Sequence, residues 1–320
     1  MKIDKSKTNS IRKAFGKTLA EIGELNEKIV VMDADLACST QTKIFADKFP
    51  DRFFDCGIAE QNMLATAAGL ASEGKIPFVA SFAVFVTGRT YDQIRNGICY
   101  PNFNVKIVGT HGGVTVGEDG ATHQALEDIS LMRGLPHMTV IVPADCKECQ
   151  EAIKYAALHE GPTYIRIPRS NVPDIFDENY SFNIQKAVVV EEGTDASVFT
   201  NGETLAEVLL AVEELKKENI NLEVINVPVV KPLDSRTVIE SVKKTKLAIT
   251  VENHSIIGGL GSAICETLSD KLPSKVYRIG VNDEFGQSGT AEELIEHYGL
   301  DSKTLATKIK TMINKEKEQD

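Results

Sequence analysis

Apolar positions along the chain fall into two alternating patterns. Short unbroken apolar runs, of which residues 29–32 (IVVM) are the first, fit strands covered on both faces. Longer stretches instead repeat apolar residues at three and four. In residues 60–72, Leu64, Ala67, Ala68 and Ala71 share one face and Gly74 follows as a stop, which predicts a helix. Further strands are expected at residues 76–80, 105–108, 139–142 and 163–167, with helices at 89–98, 125–133 and 147–158. Strands that alternate with helices in this way pair in parallel and carry helices on both sides of the sheet.

The rhythm breaks at residues 171–183, a polar, Pro-containing stretch without periodicity, as expected of a domain boundary. It resumes with strands expected at 187–190, 196–200, 222–227, 247–251 and 276–279, separated by helices at 203–217, 235–243, 261–268 and 292–298. An amphipathic, Lys-rich helix is expected over 305–320. The pattern predicts an α/β protein of two doubly wound domains, residues 1–180 and 181–320, each a mostly parallel sheet with helices on both faces. No internal repeat or low-complexity tract interrupts it.

Composition narrows the function. The 320 residues are 42% hydrophobic and 25% charged, with a formal net charge of -11, enough apolar material for two cores. An acidic surface repels phosphate backbones, which argues against nucleic acid as a partner. Anionic small substrates would need a local cluster of Arg and His. Six scattered cysteines and a polar, Lys-rich start without an apolar core segment point to a reduced, cytoplasmic setting. No stretch reaches the roughly 18–20 apolar residues that cross a bilayer.

Three segments of the first half depart from ordinary α/β sequence. Residues 57–63 (GIAEQNM) open the first expected helix with Glu60, where the helix dipole favours an anion. Residues 81–89 (SFAVFVTGR) place Phe82 and Phe85 three apart, either as core or as a wall for a flat ring. Residues 110–124 (THGGVTVGEDGATHQ) crowd glycines, two histidines and two acids into a loop after a strand. Glycine admits close backbone approach to a ligand, and the ends of parallel strands are where such sites collect. The histidines lack the helical spacing of zinc sites, and hard-cation loops lack histidine. Cys146-Lys147-Glu148-Cys149 lies in an expected helix without a second pair, and we take it as incidental. Residues 258–262 (GGLGS) resemble a weak dinucleotide fingerprint and are better explained by close packing. Glu252, His254 and Asp283 have no partners identifiable from sequence.

Together these segments resemble, in order and spacing, the pyrimidine-binding domain of the transketolase family, and the likeness extends over about residues 8–310. The resemblance implies thiamine diphosphate as cofactor. Glu60, in a segment like GIAEQN, would hydrogen-bond N1′ of the aminopyrimidine, favouring the imino tautomer that removes the thiazolium C2 proton. Phe82 and Phe85 match the first two aromatics of Phe-x-x-Phe-x-x-Tyr around that ring. Gly88 stands where the family has Tyr, and Tyr91 is the candidate to fill the gap. His123 would face the donor substrate near C1 and C2, Asp119 a substrate hydroxyl, and His111 the distal end. Arg12, Ser39 and Arg169 align with phosphate-contacting residues and, with His111, would form a positive clamp; Arg suits that task through its bidentate fork. Asp35 aligns with an acid near the cofactor at the subunit contact.

Complete transketolases also carry an upstream Gly-Asp-Gly…Asn motif for Mg²⁺ and the diphosphate, which has no counterpart here. The resemblance therefore implies the C-terminal subunit of a split transketolase, whose N-terminal partner subunit holds the diphosphate and Mg²⁺, in an α2β2 assembly acting on sugar phosphates. No metal ligand is expected in this chain. The β subunit of a 2-oxoacid dehydrogenase E1, half of a 1-deoxyxylulose-phosphate synthase-like enzyme, and a non-catalytic regulatory subunit are the rival readings.

Overall fold

The computed structural model describes residues 3–318; Met1 and Lys2, and the last two residues of the helix expected to reach Asp320, lie outside them. Two sheets organise the chain. The larger has seven strands in the order Val229–Lys231, Thr139–Ile141, Thr163–Arg166, Lys106–Thr110, Ile76–Phe82, Ile29–Asp33 and Phe53–Asp55. All its pairings are parallel except the first, where Val229–Lys231 runs antiparallel to Thr139–Ile141. The smaller has five strands in the order Val276–Val281, Ala248–Ser255, Ala196–Thr200, Leu222–Asn226 and Val188–Glu191. Only the last of these pairs antiparallel.

The larger sheet is covered on both sides, which is why its strands read as unbroken apolar runs. Side chains alternate faces along a strand. Met32, Val79, Ile107 and Val140 point to one cluster, with Met63 and Leu64 of the helix Glu60–Ser72 and Ile94 and Ile98. Val31, Phe78, Val108 and Ile165 point to the other, with Phe15 and Leu19 of the helix Ile11–Leu25 and Ile153 of the helix Cys146–Leu158. Truncating one such residue to Ala costs about 2–5 kcal/mol. Ser10 starts the helix Ile11–Leu25 by accepting a hydrogen bond from the Lys13 amide, as an N-cap should.

The two sheets share a core as well as a linker. The cluster around the helix Thr204–Lys216 takes in Val114, Leu126 and Ala144 from the first half. The strand Val229–Lys231, although late in sequence, completes the first sheet. The expected helix at 89–98 is instead two π-helical segments, Phe85–Arg89 and Gln93–Cys99. Such widened turns re-aim side chains and recur near functional sites. Among the described residues no helix is long and apolar enough to cross a membrane.

Candidate active site

The expected site residues lie where the parallel strands of the larger sheet end. Asp35 and Ser39 follow the strand Ile29–Asp33, and Glu60 follows Phe53–Asp55. Phe82 ends Ile76–Phe82, with Phe85 just beyond it. His111 follows Lys106–Thr110, and Arg169 follows Thr163–Arg166. Loops converge at the carboxyl ends of adjacent parallel strands, and open α/β sheets gather ligand groups there.

Glu60 is the first residue of its helix, and the N-cap Ala59 offers no side-chain acceptor. As a first-turn acid it stands where the helix dipole favours negative charge. The side chain is 6% exposed, and its Oε1 accepts a hydrogen bond from Arg89 Nη1 at 2.9 Å. The same guanidinium lies over Phe85, with Cζ 4.1 Å from the ring centroid. Gln61 Nε2 donates to the Arg89 carbonyl at 2.9 Å. Arg89 was not among the expected site residues; a single cation ending an otherwise uncharged run was the only signal it gave.

The phenyl rings of Phe82 and Phe85 are near-parallel, with centroids 5.7 Å apart and 15° between planes. His111 stacks on Phe82 at 3.7 Å, and His123 stands edge-on to Phe85 at 5.3 Å. The two phenyl rings are thus stacked near-parallel, with His111 over Phe82 and His123 edge-on to Phe85, next to the Glu60–Arg89 pair. Gly88 is exposed, with nothing within 4 Å of where a side chain would begin. Tyr91 packs against the core cluster instead and makes no ring contact with Phe82 or Phe85, so it does not supply a third aromatic.

The expected basic residues come together, in a modified form. Arg12 Nη1 donates to the Ser39 carbonyl at 2.7 Å, and Nη2 to the Arg169 carbonyl at 3.0 Å. Ser39 thus meets Arg12 through its backbone. Arg169 Nη1 donates to the Val116 carbonyl at 2.6 Å and to Glu118 Oε2 at 3.0 Å. Both arginines are tied to the loops they bridge, which holds their charge in place. His111 is buried at φ +58°, with Nδ1 2.9 Å from Thr110 Oγ1. Burial, followed by the positive charges of Arg12, Arg169 and His123, pushes its pKa down to about 3. The imidazole is therefore neutral near pH 7, and the clamp's charge comes from the arginines. Asp119 is exposed, while His123 is partly buried with Nδ1 2.9 Å from Thr122 Oγ1.

Asp35 is exposed at φ +62°. Its amide donates to Asp55 Oδ1 at 3.0 Å, and that oxygen also accepts from the Gly57 amide at 2.9 Å. Asp55, also missing from the expected set, fastens the Asp35 loop to the turn that leads into Glu60. Behind it, buried Asp33 accepts from the Leu36 amide and from Thr40 and Thr42 Oγ1, at 2.7–2.8 Å.

Motifs outside this region have structural explanations. Glu252 accepts from the Leu260 and Gly261 amides at 2.7 and 2.9 Å. The chain's own carboxylate thus fills the helix N-terminus that the GGLGS turn would offer a phosphate. A Cβ on Gly259 would fall 2.0 Å from Glu252 Oε2. Cys149 is buried, and burial holds both thiols of the Cys-x-x-Cys pair up, Cys146 at about 12. Among the described residues no group of three or more His, Cys, Asp or Glu could hold a metal ion.

Stacked aromatic rings beside a buried carboxyl group stand at the strand ends of one α/β domain docked on a second. Residues 7–174 match the family of transketolase pyrimidine binding domains, and residues 185–305 match the transketolase C-terminal domain. A putative transketolase C-terminal section from Methanocaldococcus jannaschii is 47% identical over 310 residues, 96% of this chain and 97% of that one. A 6-deoxy-6-sulfo-D-fructose transketolase subunit, SqwH, from Clostridium sp. is 41% identical over 295 residues, 92% of each chain. A solved structure described as a split gene transketolase, inactive beta4 tetramer, superposes with a TM-score of 0.89 at 46% identity, covering 95% of this chain and 98% of that one. The chain belongs to the transketolase family and comprises its C-terminal section, the pyrimidine-binding and C-terminal domains.

Proposed function

We propose that this chain, joined to an N-terminal transketolase subunit in an α2β2 assembly, transfers a two-carbon ketol unit from a ketose phosphate to an aldose phosphate. The observation that carries the reading is the Glu60 carboxyl group beside the near-parallel Phe82 and Phe85 rings, with the Arg12–Arg169 cluster held at neighbouring strand ends.

These residues fit the aminopyrimidine of thiamine diphosphate. Such a ring needs a flat apolar face and a carboxyl partner for a ring nitrogen, and Arg89 shows the geometry by stacking on Phe85 while donating to Glu60. When bound, the cofactor supplies a carbon nucleophile and an electron sink for making and breaking the carbon–carbon bond. Glu60 holds or releases a proton at the ring nitrogen, and Phe82 and Phe85 orient the ring and exclude water from one face. His123 and Asp119 offer a donor or acceptor to sugar hydroxyls, and a site built on such bonds rejects analogues that lack them. Arg12 and Arg169 draw the anionic end of the sugar. A phosphate or the sulfonate named for the Clostridium relative would satisfy that charge. The diphosphate and Mg²⁺ belong to the partner subunit on this reading.

The test is reconstitution. The isolated chain should be inactive, and an N-terminal transketolase subunit, thiamine diphosphate and Mg²⁺ should together yield ketol transfer from xylulose phosphate. Glu60→Gln should lower the rate by roughly 10²-fold or more. Full activity of the chain alone would sink the reading, and preference for pyruvate as donor would replace it with the deoxyxylulose-phosphate type.

A further inference from the structure

The C-terminal domain holds none of the expected site residues, yet one of its carboxylates is bonded to the two segments that carry His111, Asp119, His123 and Arg169. Glu203 precedes the helix Thr204–Lys216. Thr115 Oγ1 donates to it, 2.8 and 2.9 Å from its two oxygens. Ser170 Oγ donates to Oε2 at 2.7 Å, and Asn253 Nδ2 donates to Oε1 at 2.5 Å. Thr115 lies midway between His111 and Asp119 in the Gly-rich loop. Ser170 adjoins Arg169, whose Nη1 in turn donates to the Val116 carbonyl.

Two further side chains fix the same loop. Asn253 Oδ1 accepts from the Val114 amide at 3.0 Å. Gly113, at φ +80°, leaves room for it: an added Cβ would fall 2.4 Å from Asn253 Nδ2. Gln124, within the loop, donates through Nε2 to the Val114 carbonyl and to the Gln287 carbonyl of the second domain, both at 3.0 Å. The loop that presents His111, Asp119 and His123 is therefore braced by the other domain, and Glu203 accepts the most bonds in that brace.

We infer that Glu203 is a positioning residue for sugar binding: it sets the Gly-rich loop and Arg169 in register with each other, and so fixes the distance between the hydroxyl-binding and anion-binding groups. The inference rests on the reading given under Proposed function. It assigns the C-terminal domain a part in substrate recognition, with no contact to substrate. Displacing recognition groups by about 1 Å is enough to cost orders of magnitude in productive binding. On that reading the cofactor ring would be held by other segments, those of Glu60, Phe82 and Phe85, whereas Glu203 bonds to Thr115, Ser170 and Asn253.

The experiment compares Glu203→Ala, Glu203→Gln and Arg133→Ala in the reconstituted complex. Arg133 forms an ion pair with Glu266 across the same domain contact, at 2.5 Å, away from the loop. Glu203→Ala should raise the KM for xylulose phosphate by about tenfold or more, with thiamine diphosphate affinity, measured by titration calorimetry, within twofold of native. Glu203→Gln keeps an acceptor for Thr115 and should recover most of that KM. Arg133→Ala should lower Tm and leave KM unchanged. In the isolated chain, amide hydrogen exchange over residues 111–123 should quicken in Glu203→Ala and stay native in Arg133→Ala. If Glu203→Ala does not fold, Thr115→Val removes one donor and should raise KM in the same direction.

A Glu203→Ala complex that loses Tm with unchanged KM, as Arg133→Ala does, overturns the inference, and so does unchanged exchange in the loop. A native complex without ketol transfer overturns the functional reading itself, and is distinguished by failing before any variant is compared.

Discussion

Asp128 tests how the two domains are locked together. Its side chain is fully buried, and Oδ2 accepts from Tyr164 OH at 2.6 Å and from Arg166 Nε at 2.8 Å. Arg166 is itself buried and passes the contact on, with Nη2 donating to the Ala125 carbonyl and to the Asn253 carbonyl of the second domain. Asp128→Ala leaves the guanidinium without its hydrogen-bonded carboxylate and the Tyr164 hydroxyl without its acceptor. Removing one member of a buried pair costs about 3–5 kcal/mol. The two carbonyls that still face Arg166 place the cost toward the lower end, about 3–4 kcal/mol. For a cooperative unit of 320 residues that is a fall in Tm of roughly 4–6 °C, read by near-UV circular dichroism or calorimetry at pH 7. Asp128→Leu with Arg166→Met removes both charges and should recover at least half the loss, since a buried pair is often replaceable by apolar residues of similar volume. An Asp128→Ala melt within about 2 °C of native, or a double variant worse than the sum of its parts, would refute the argument that this pair locks the domains.

Two further predictions concern the site. In Arg89→Met the Glu60 carboxylate has no guanidinium to give up, so the reconstituted complex should bind thiamine diphosphate about threefold tighter; Arg89 is half exposed, so its ion pair and ring contact are worth little more. Weaker binding in a calorimetric titration would show that Arg89 assists the cofactor instead. His111 should stay neutral from pH 5 to pH 8, because burial and then its cationic neighbours hold its pKa at about 3. Its ring resonances in NMR should not move over that range, and a titration near pH 6.5 would contradict the buried, stacked placement. The unfolded chain takes up that proton near pH 6.5 and the folded chain does not. The His111 contribution to stability is therefore present above pH 6.5 and is lost toward pH 3, at a limiting slope of about 1.4 kcal/mol per pH unit, which His111→Gln should remove.

Much of the architecture was legible because burial on two faces writes itself into sequence. The runs at 29–32, 76–80 and 105–108 became adjacent parallel strands, Ile29–Asp33, Ile76–Phe82 and Lys106–Thr110. The helix Ile11–Leu25 was missed although Ile11, Phe15, Leu19 and Ile22 mark one face. The strands Phe53–Asp55 and Val229–Lys231 were missed for a better reason: three residues carry no usable period. That Val229–Lys231 joins the sheet of the first domain is a tertiary fact with no local signal. Residue types at the site were legible through family resemblance, whereas their pairings were not. Arg89 meets Glu60 across 29 positions and Thr115 meets Glu203 across 88, and only the fold brings either pair together.

The glycines of the Gly-rich loop serve a purpose that the sequence did not disclose. They suggested close approach to a ligand. Yet a Cβ on Gly113 would strike Asn253 at 2.4 Å, and one on Gly120 would fall 2.6 Å from Ser288 Oγ. Both neighbours belong to the second domain, so the docking of one domain on the other demands glycine here in addition to the left-handed backbone, φ +80° and +73°. Glycine content alone cannot separate the two demands, because each asks for the same missing side chain. What separates them is the identity of the nearest atom. Where that atom is protein, substitution should loosen the domain contact and the loop together, with ligand affinity falling as a consequence of both.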